Sequence, residues 1–189
     1  MVATLPSKDI AGLATTEKDQ IKINSVIKAI SDRLLSLIAT LTTGYDLPGT
    51  TTNDSAAAGT VGEYISAEVT SGAPVALTTV TQTNVTSISL TAGDWDIWAN
   101  VTFACAATTV ITGGIGSISA TSATLDTSGG HAASISQPNA GFTGGNHTTN
   151  PGTVRISLAS TTTIYMVAFA NFATSTCSAY GYLAARRRR

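Results

Sequence analysis

An acid pair, two histidines and one group of aromatic and amide side chains are the parts of this sequence that could do chemistry. Asp94 and Asp96 are the obvious pair, since two carboxyl groups flanking a sugar linkage can hydrolyse it. Residues two apart on a strand share a face, but these two flank Ala92-Gly93, where an aspartate can cap the turn. The capping role is the preferred one, and no enzyme activity is expected. His131 and His147 could join a metal site, yet neither has a Cys, Asp or Glu at ligand spacing beyond Asp126. No metal and no cofactor are therefore expected. Phe142, with His131, Asn139, Asn146 and His147 in the same glycine-rich stretch, offers a ring beside amides and imidazoles. Such a group could hold a glycan or a protein surface. Trp98, on the more polar side of its strand, is a second candidate, with a subunit contact as its preferred role. No nucleophile elbow and no HExxH occurs. The glycines of 113–116 fall between expected strands rather than at the start of a helix, so they do not cradle phosphate.

The element that would position such residues is read first from Ile23 to Leu41. Ile23, Ile27, Ile30, Leu34, Leu37 and Leu41 follow one another at alternating intervals of four and three. That is heptad spacing, with Ile27, Leu34 and Leu41 at a and Ile23, Ile30 and Leu37 at d. Isoleucine at both a and d favours three or four strands over two. Val26 at g and Ile38 at e widen the seam, which suits a trimer. Thr15 or Thr16 can cap the helix, with Glu17 and Asp19 in its first turn, and Thr42-Thr43-Gly44 ends it. The organisation expected is an arm over 1–16, a coiled-coil stalk over 17–42, a linker over 43–59 and a β domain over 60–189. In the arm, Val2, Leu5, Ile10 and Leu13 are more apolar than a solvated tail needs, which points to docking on another protein.

Composition bounds the partners. Charged residues make up only 11% of the 189 residues, against roughly 25% in a typical soluble domain. Four of the ten Lys and Arg residues are the run Arg186 to Arg189, so the rest of the chain is mildly acidic. Tracking a phosphate backbone needs a basic stripe, so no nucleic acid is expected as partner, and the run reads as solvated or docked on a neighbour. Cys105 and Cys177 both fall in expected strands and read as free thiols of a protein folded in a reducing cytoplasm. There is no secretory signal pattern at the start, and no stretch approaches the roughly 20 apolar residues that span a bilayer, so membrane insertion is not expected.

From Thr60 onward the period is two. In Asp94 to Cys105, Trp95, Ile97, Ala99, Val101 and Phe103 alternate with Asp96, Trp98, Asn100, Thr102 and Ala104. About eight strands are expected, at 60–69, 74–81, 83–91, 94–105, 110–120, 153–158, 162–172 and 176–185. They imply a mainly β fold, an antiparallel jelly-roll-like β-sandwich behind an N-terminal trimeric coiled-coil helix. Strand 162–172 is apolar on both faces, which asks for a second cover, most simply another copy of the chain. The segment 128–152 breaks the pattern and reads as one long functional loop.

Four runs carry a family resemblance: Gly62-Glu63-Tyr64, Ser87 to Asp96, Ser119 to Leu125, and Ser178 to Arg187. Together they resemble a small domain of phage and prophage fibre-like proteins, over roughly residues 50–189. The resemblance implies a homotrimeric virion fibre, assembled in the cytoplasm of a bacterial host. It would be attached through residues 1–16 to a tail adaptor or nozzle protein and would adsorb to a host surface glycan or protein. A capsid head fibre or decoration protein is the alternative, and a polysaccharide-degrading enzyme a remoter one. The resemblance does not reach residues 1–48 and brings no catalytic residue with it.

Overall fold

The computed structural model describes residues 17–42, 52, 54–137 and 141–189. Val2, Leu5, Ile10, Leu13 and Asn139 lie outside them, as does nearly all of the expected linker before Asp54. The chain divides into two compact units, residues 1–53 and 54–189.

The first unit contains α1, Glu17–Thr42, with Glu17 and Asp19 in its first turn, where the helix dipole favours acids. Lys28 and Asp32, one turn apart, pair at 3.3 Å. The heptad side chains are exposed along this helix: Ile27 at 59%, Ile30 at 61%, Leu34 at 55% and Leu37 at 57%, with Ile23 and Val26 beside them. Leu41 continues the helix backbone, its side chain falling outside the described residues.

The second unit is mainly β, one antiparallel sheet of nine strands curled on itself. The strands are β1 (Tyr64–Val69), β2 (Val75–Ala76), β3 (Gln82–Leu90), β4 (Gly93–Ser119) and β5 (Ala132–Ser136). They continue with β6 (Phe142–Thr149), β7 (Val154–Leu158), β8 (Thr162–Ala173) and β9 (Cys177–Arg187). Pairing registers show four long antiparallel runs. Along one edge of β4 lie β9, opposite Trp95 to Cys105, and then β8, opposite Val110 to Ser119. Along its other edge lie β7, β6 and β5 in turn. Beyond β9 come β1 and β2, and beyond β8 comes β3.

All four runs bend at the same level. The β4–β6 register slips between Cys105 and Val110, and residues 106–109 form a bulge. Gly144 and Gly145 in β6, Val80 before β3 and Thr174 between β8 and β9 all carry positive φ. Such corners let strands pass from one side of a sandwich to the other. The two halves thus enclose one core: Trp95, Ile97, Val101, Phe103 and Leu183 on one side, Ile88, Leu90, Ile118, Ile164 and Met166 on the other.

Several expectations change here. The expected strands 94–105 and 110–120 are one strand, and the glycines of 113–116 lie inside it rather than between strands. Their role is steric. A Cβ on Gly114 would sit 3.0 Å from the Phe103 ring, and one on Gly116 would sit 2.9 Å from Val101 Cγ2. Bare backbone there lets the second half of β4 lie against its own first half. The expected loop 128–152 holds β5 and β6, because backbone pairing to β4 makes a strand of a sequence with little alternation. The outer face of β8 is covered in part by this same chain. Asn84 and Gln82 accept hydrogen bonds from the backbone of Ala123 and Leu125, and Ser117 binds Asp126, so the 120–131 connection crosses above Val167. Val167 is fully buried without a second copy.

Candidate functional site

Paired residues on neighbouring strands share a face, so registers assemble the outer surface of the β1–β9–β4–β6 half. The residues facing away from the core are Tyr64 on β1, Tyr180 and Tyr182 on β9, Trp98, Asn100 and Thr102 on β4, and Asn146 and Thr148 on β6. Trp98 is half-buried and Tyr64 is exposed, their ring centroids 6.0 Å apart and tilted by 40°. The Tyr64 hydroxyl hydrogen-bonds that of Tyr182. Asn146 Nδ2 donates to the Tyr180 hydroxyl at 3.4 Å, the Thr102 and Thr148 hydroxyls lie 2.8 Å apart, and Asn100 Oδ1 accepts from the Tyr182 amide at 3.2 Å. A contiguous surface of rings, hydroxyls and amides results. Such side chains present an apolar body and a polar tip, the combination enriched where proteins bind partners.

At the far end of the same half lie the acid pair and the arginine run. Asp94 is buried and receives Arg155, together with Arg189 at 2.6 Å. Asp96 pairs with Arg188 at 3.4 Å. The Arg155 guanidinium, and then Arg189, hold the Asp94 carboxyl below the usual carboxylate range. A glycosidase acid needs the opposite shift, since it must keep its proton near neutral pH. Asp94 is an ion-pair centre, and the expected capping of the Ala92-Gly93 turn does not describe it. Arg187 is buried: Nε donates to Glu63 at 2.8 Å, Nη1 to the Ala92 carbonyl at 2.9 Å, Nη2 to Thr91 Oγ1. Its guanidinium also lies 4.2 Å from the Trp95 ring centroid. Of the terminal arginines, Arg187 is buried, while Arg188 and Arg189 stay largely exposed beside the carboxylates they pair with. The three arginines fasten the end of the chain to its own sheet.

Of the five residues read as a binding group in the sequence, Asn139 lies outside the described residues and the other four are dispersed. Among those four, Asn146 alone joins the aromatic surface. Phe142 packs against the core cluster and its ring lies 4.8 Å from that of His147, which bonds the Gly144 carbonyl at 2.9 Å. These two rings brace the bend in β6. His131 precedes β5 in the other half, its Nδ1 2.7 Å from Asp126 Oδ2, and the Ser128 hydroxyl and amide hold that carboxyl below its ordinary range. Among the described residues, no group of three His, Cys, Asp or Glu side chains could hold a metal. Sequence reasoning passed over Tyr64, Tyr180 and Tyr182. The signal was present: in Ser178 to Tyr182 the two tyrosines stand two apart and so share a face.

No protein-family model matches this sequence, and no curated protein matches it. Among solved structures, the chain is similar to chains of infectious bursal disease virus. For the T13 viral particle of that virus the identity is 14% and the TM-score 0.41, covering 77% of this chain and 35% of that one. For the Gx strain the identity is again 14% and the TM-score 0.42, covering 77% and 36%. The chain spans about a third of the length of the solved chains it matches. Likeness at that level transfers no residue role and no partner.

Proposed function

We propose that this protein is a structural virion component, a homotrimeric phage fibre in which α1 is the stalk and residues 54–189 form the head. The observation that carries the reading is the apolar stripe of α1, whose Ile27, Ile30, Leu34 and Leu37 are more than half exposed. Burying one such side chain is worth roughly 1.5–3 kcal/mol, so a stripe of six per chain is a strong drive to bundle. The pairing order supports a jelly-roll reading of the head. One half runs β1, β9, first half of β4, β7; the other runs β3, β8, second half of β4, β5. Four long runs folded once give two layers, which is the general arrangement of a double-sheet jelly roll. Among the described residues no helix is long and apolar enough to cross a membrane.

In this reading residues 1–16 dock on another virion protein, and the head adsorbs to a host surface glycan or protein. The contact passes from the expected loop to the aromatic surface of Trp98, Tyr64, Tyr180, Tyr182 and Asn146, whose rings can lie against sugar faces while amides bind hydroxyls. Three such surfaces per fibre bind weakly one by one and firmly together. Immunogold electron microscopy of virions from the encoding phage, with antibodies raised against residues 54–189, tests the assignment. Gold at the ends of tail-attached fibres is the expected result. Gold over the capsid selects a head fibre instead, and virions without label reject the reading.

A further inference from the structure

The chain has two cysteines, and the fold sets them face to face. Cys105 of β4 is the registered partner of Cys177 of β9, at the level where all four runs bend. The next pair outward identifies the local geometry. The Ala106 amide donates to the Thr176 carbonyl at 3.0 Å, which makes 106 and 176 a hydrogen-bonded pair. Pairs alternate along an antiparallel ladder, so Cys105 and Cys177 occupy a non-hydrogen-bonded position, where Cα atoms come within about 4.5 Å. A disulfide needs Cα atoms about 4.4–6.8 Å apart. Both side chains point to the core side of the sheet, Cys177 buried and Cys105 half-buried, and neither is bonded to another cysteine.

We propose that Cys105 and Cys177 are a latent cross-strand disulfide, which closes when the folded protein meets a low-molecular-weight disulfide oxidant and then clamps the bend of the sheet. The step balances with oxidised glutathione. The Cys105 thiolate, the more accessible sulfur, attacks one glutathione sulfur, and the S–S bond breaks to release one glutathione thiolate. Cys177 gives up its proton and attacks the Cys105 sulfur of the mixed disulfide, releasing the second glutathione. Two cysteine sulfurs are oxidised, one glutathione disulfide is reduced, and each departing thiolate takes one cysteine proton. Burial raises both thiols above their ordinary range, so the thiolates are scarce and closure is slow at neutral pH. A protein folded under reducing conditions would then keep both thiols free until it leaves them.

The bond would close a long loop containing the second half of β4 and all of β5 to β8. Cross-linking a loop of that size removes much conformational freedom from the unfolded chain. The expected gain is a rise in melting temperature on the order of 10 °C.

The test uses the full chain, purified reduced and then incubated with oxidised glutathione without denaturant. Intact mass, free-thiol titration and thermal melting are followed over hours. The expected result is loss of both free thiols, a mass lower by two hydrogens, no lasting adduct and the higher melting temperature, all reversed by dithiothreitol. The Cys177→Ser variant should instead stop at a stable glutathione adduct on Cys105 with no rise in melting temperature. Thiols that stay free until the protein is unfolded overturn the proposal. So do disulfide-linked dimers in place of the internal bond, or an internal bond that leaves the melting temperature unchanged.

Discussion

At the scale of single residues, Arg187 is the tightest point of the head domain. Its charge is removed from water and met by Glu63, two oxygen acceptors and the Trp95 ring, so nothing it touches is left unpaired. Removing one partner of a buried pair strands the other. Arg187→Ala is expected to lower the unfolding free energy of the head by about 3–5 kcal/mol. Arg188→Ala, at an exposed pair with Asp96, should cost about 1 kcal/mol or less. Urea unfolding of the two variants side by side checks the contrast. The same ion pairs fix a pH dependence. Glu63 is held below its ordinary range by Arg187, and Asp94 by Arg155. Both bind fewer protons folded than unfolded, so their contribution is fully present above about pH 4.5 and fades as the pH falls through the lowered folded values. Melting temperature should stay level from neutral pH to about 5 and drop below about 4, and Glu63→Gln should flatten part of that drop. Little of this was legible in the sequence, because a run of four arginines at a chain end resembles a solvated tail. Only the alternation of Leu183, Ala185 and Arg187, carried two residues past the expected strand end, points Arg187 at the core.

At the scale of elements, legibility followed the hydrophobic period. The strands over 83–91, 94–105 and 153–158 were readable because apolar and polar residues alternate there, the strand over 162–172 from its continuous apolar run, and the helix from its heptads. β6, with the sequence FTGGNHTT, has no such alternation and exists because β4 offers it a partner edge. The continuity of β4 was hidden by its glycines. A Gly-Gly pair normally marks a turn, yet here it marks close approach of one half of a strand to the other. Gly116→Ala is therefore expected to destabilise the head by about 1–3 kcal/mol through overpacking against Val101 and Thr149. Gly129→Ala, with open space around the position, should be nearly neutral. Thermal melting of both variants separates packing from any general intolerance of replaced glycine. For α1, the seam is the testable feature. Leu34→Asp places a charge at an a position of every copy, and association should be lost while the far-ultraviolet signature of the β domain persists.

At the scale of the whole molecule, two units with different chemistry make one account. The head buries its core within one chain, and even the second apolar face of β8 is partly roofed by the 120–131 connection. That removes one argument for self-association and puts the weight on the helix. A lone helix of 26 residues with its isoleucines and leucines in water is marginal, and a bundle of three is not. The proposed function divides the labour accordingly: the helix would assemble the protein, and the aromatic face of residues 54–189 would meet the partner three times over. The most direct test is the mass of the full chain in solution, by light scattering at micromolar concentration. The account predicts a mass near three times 19.2 kDa. A mass near 19.2 kDa itself would contradict it, because the apolar stripe of α1 would then be facing something other than its own copies.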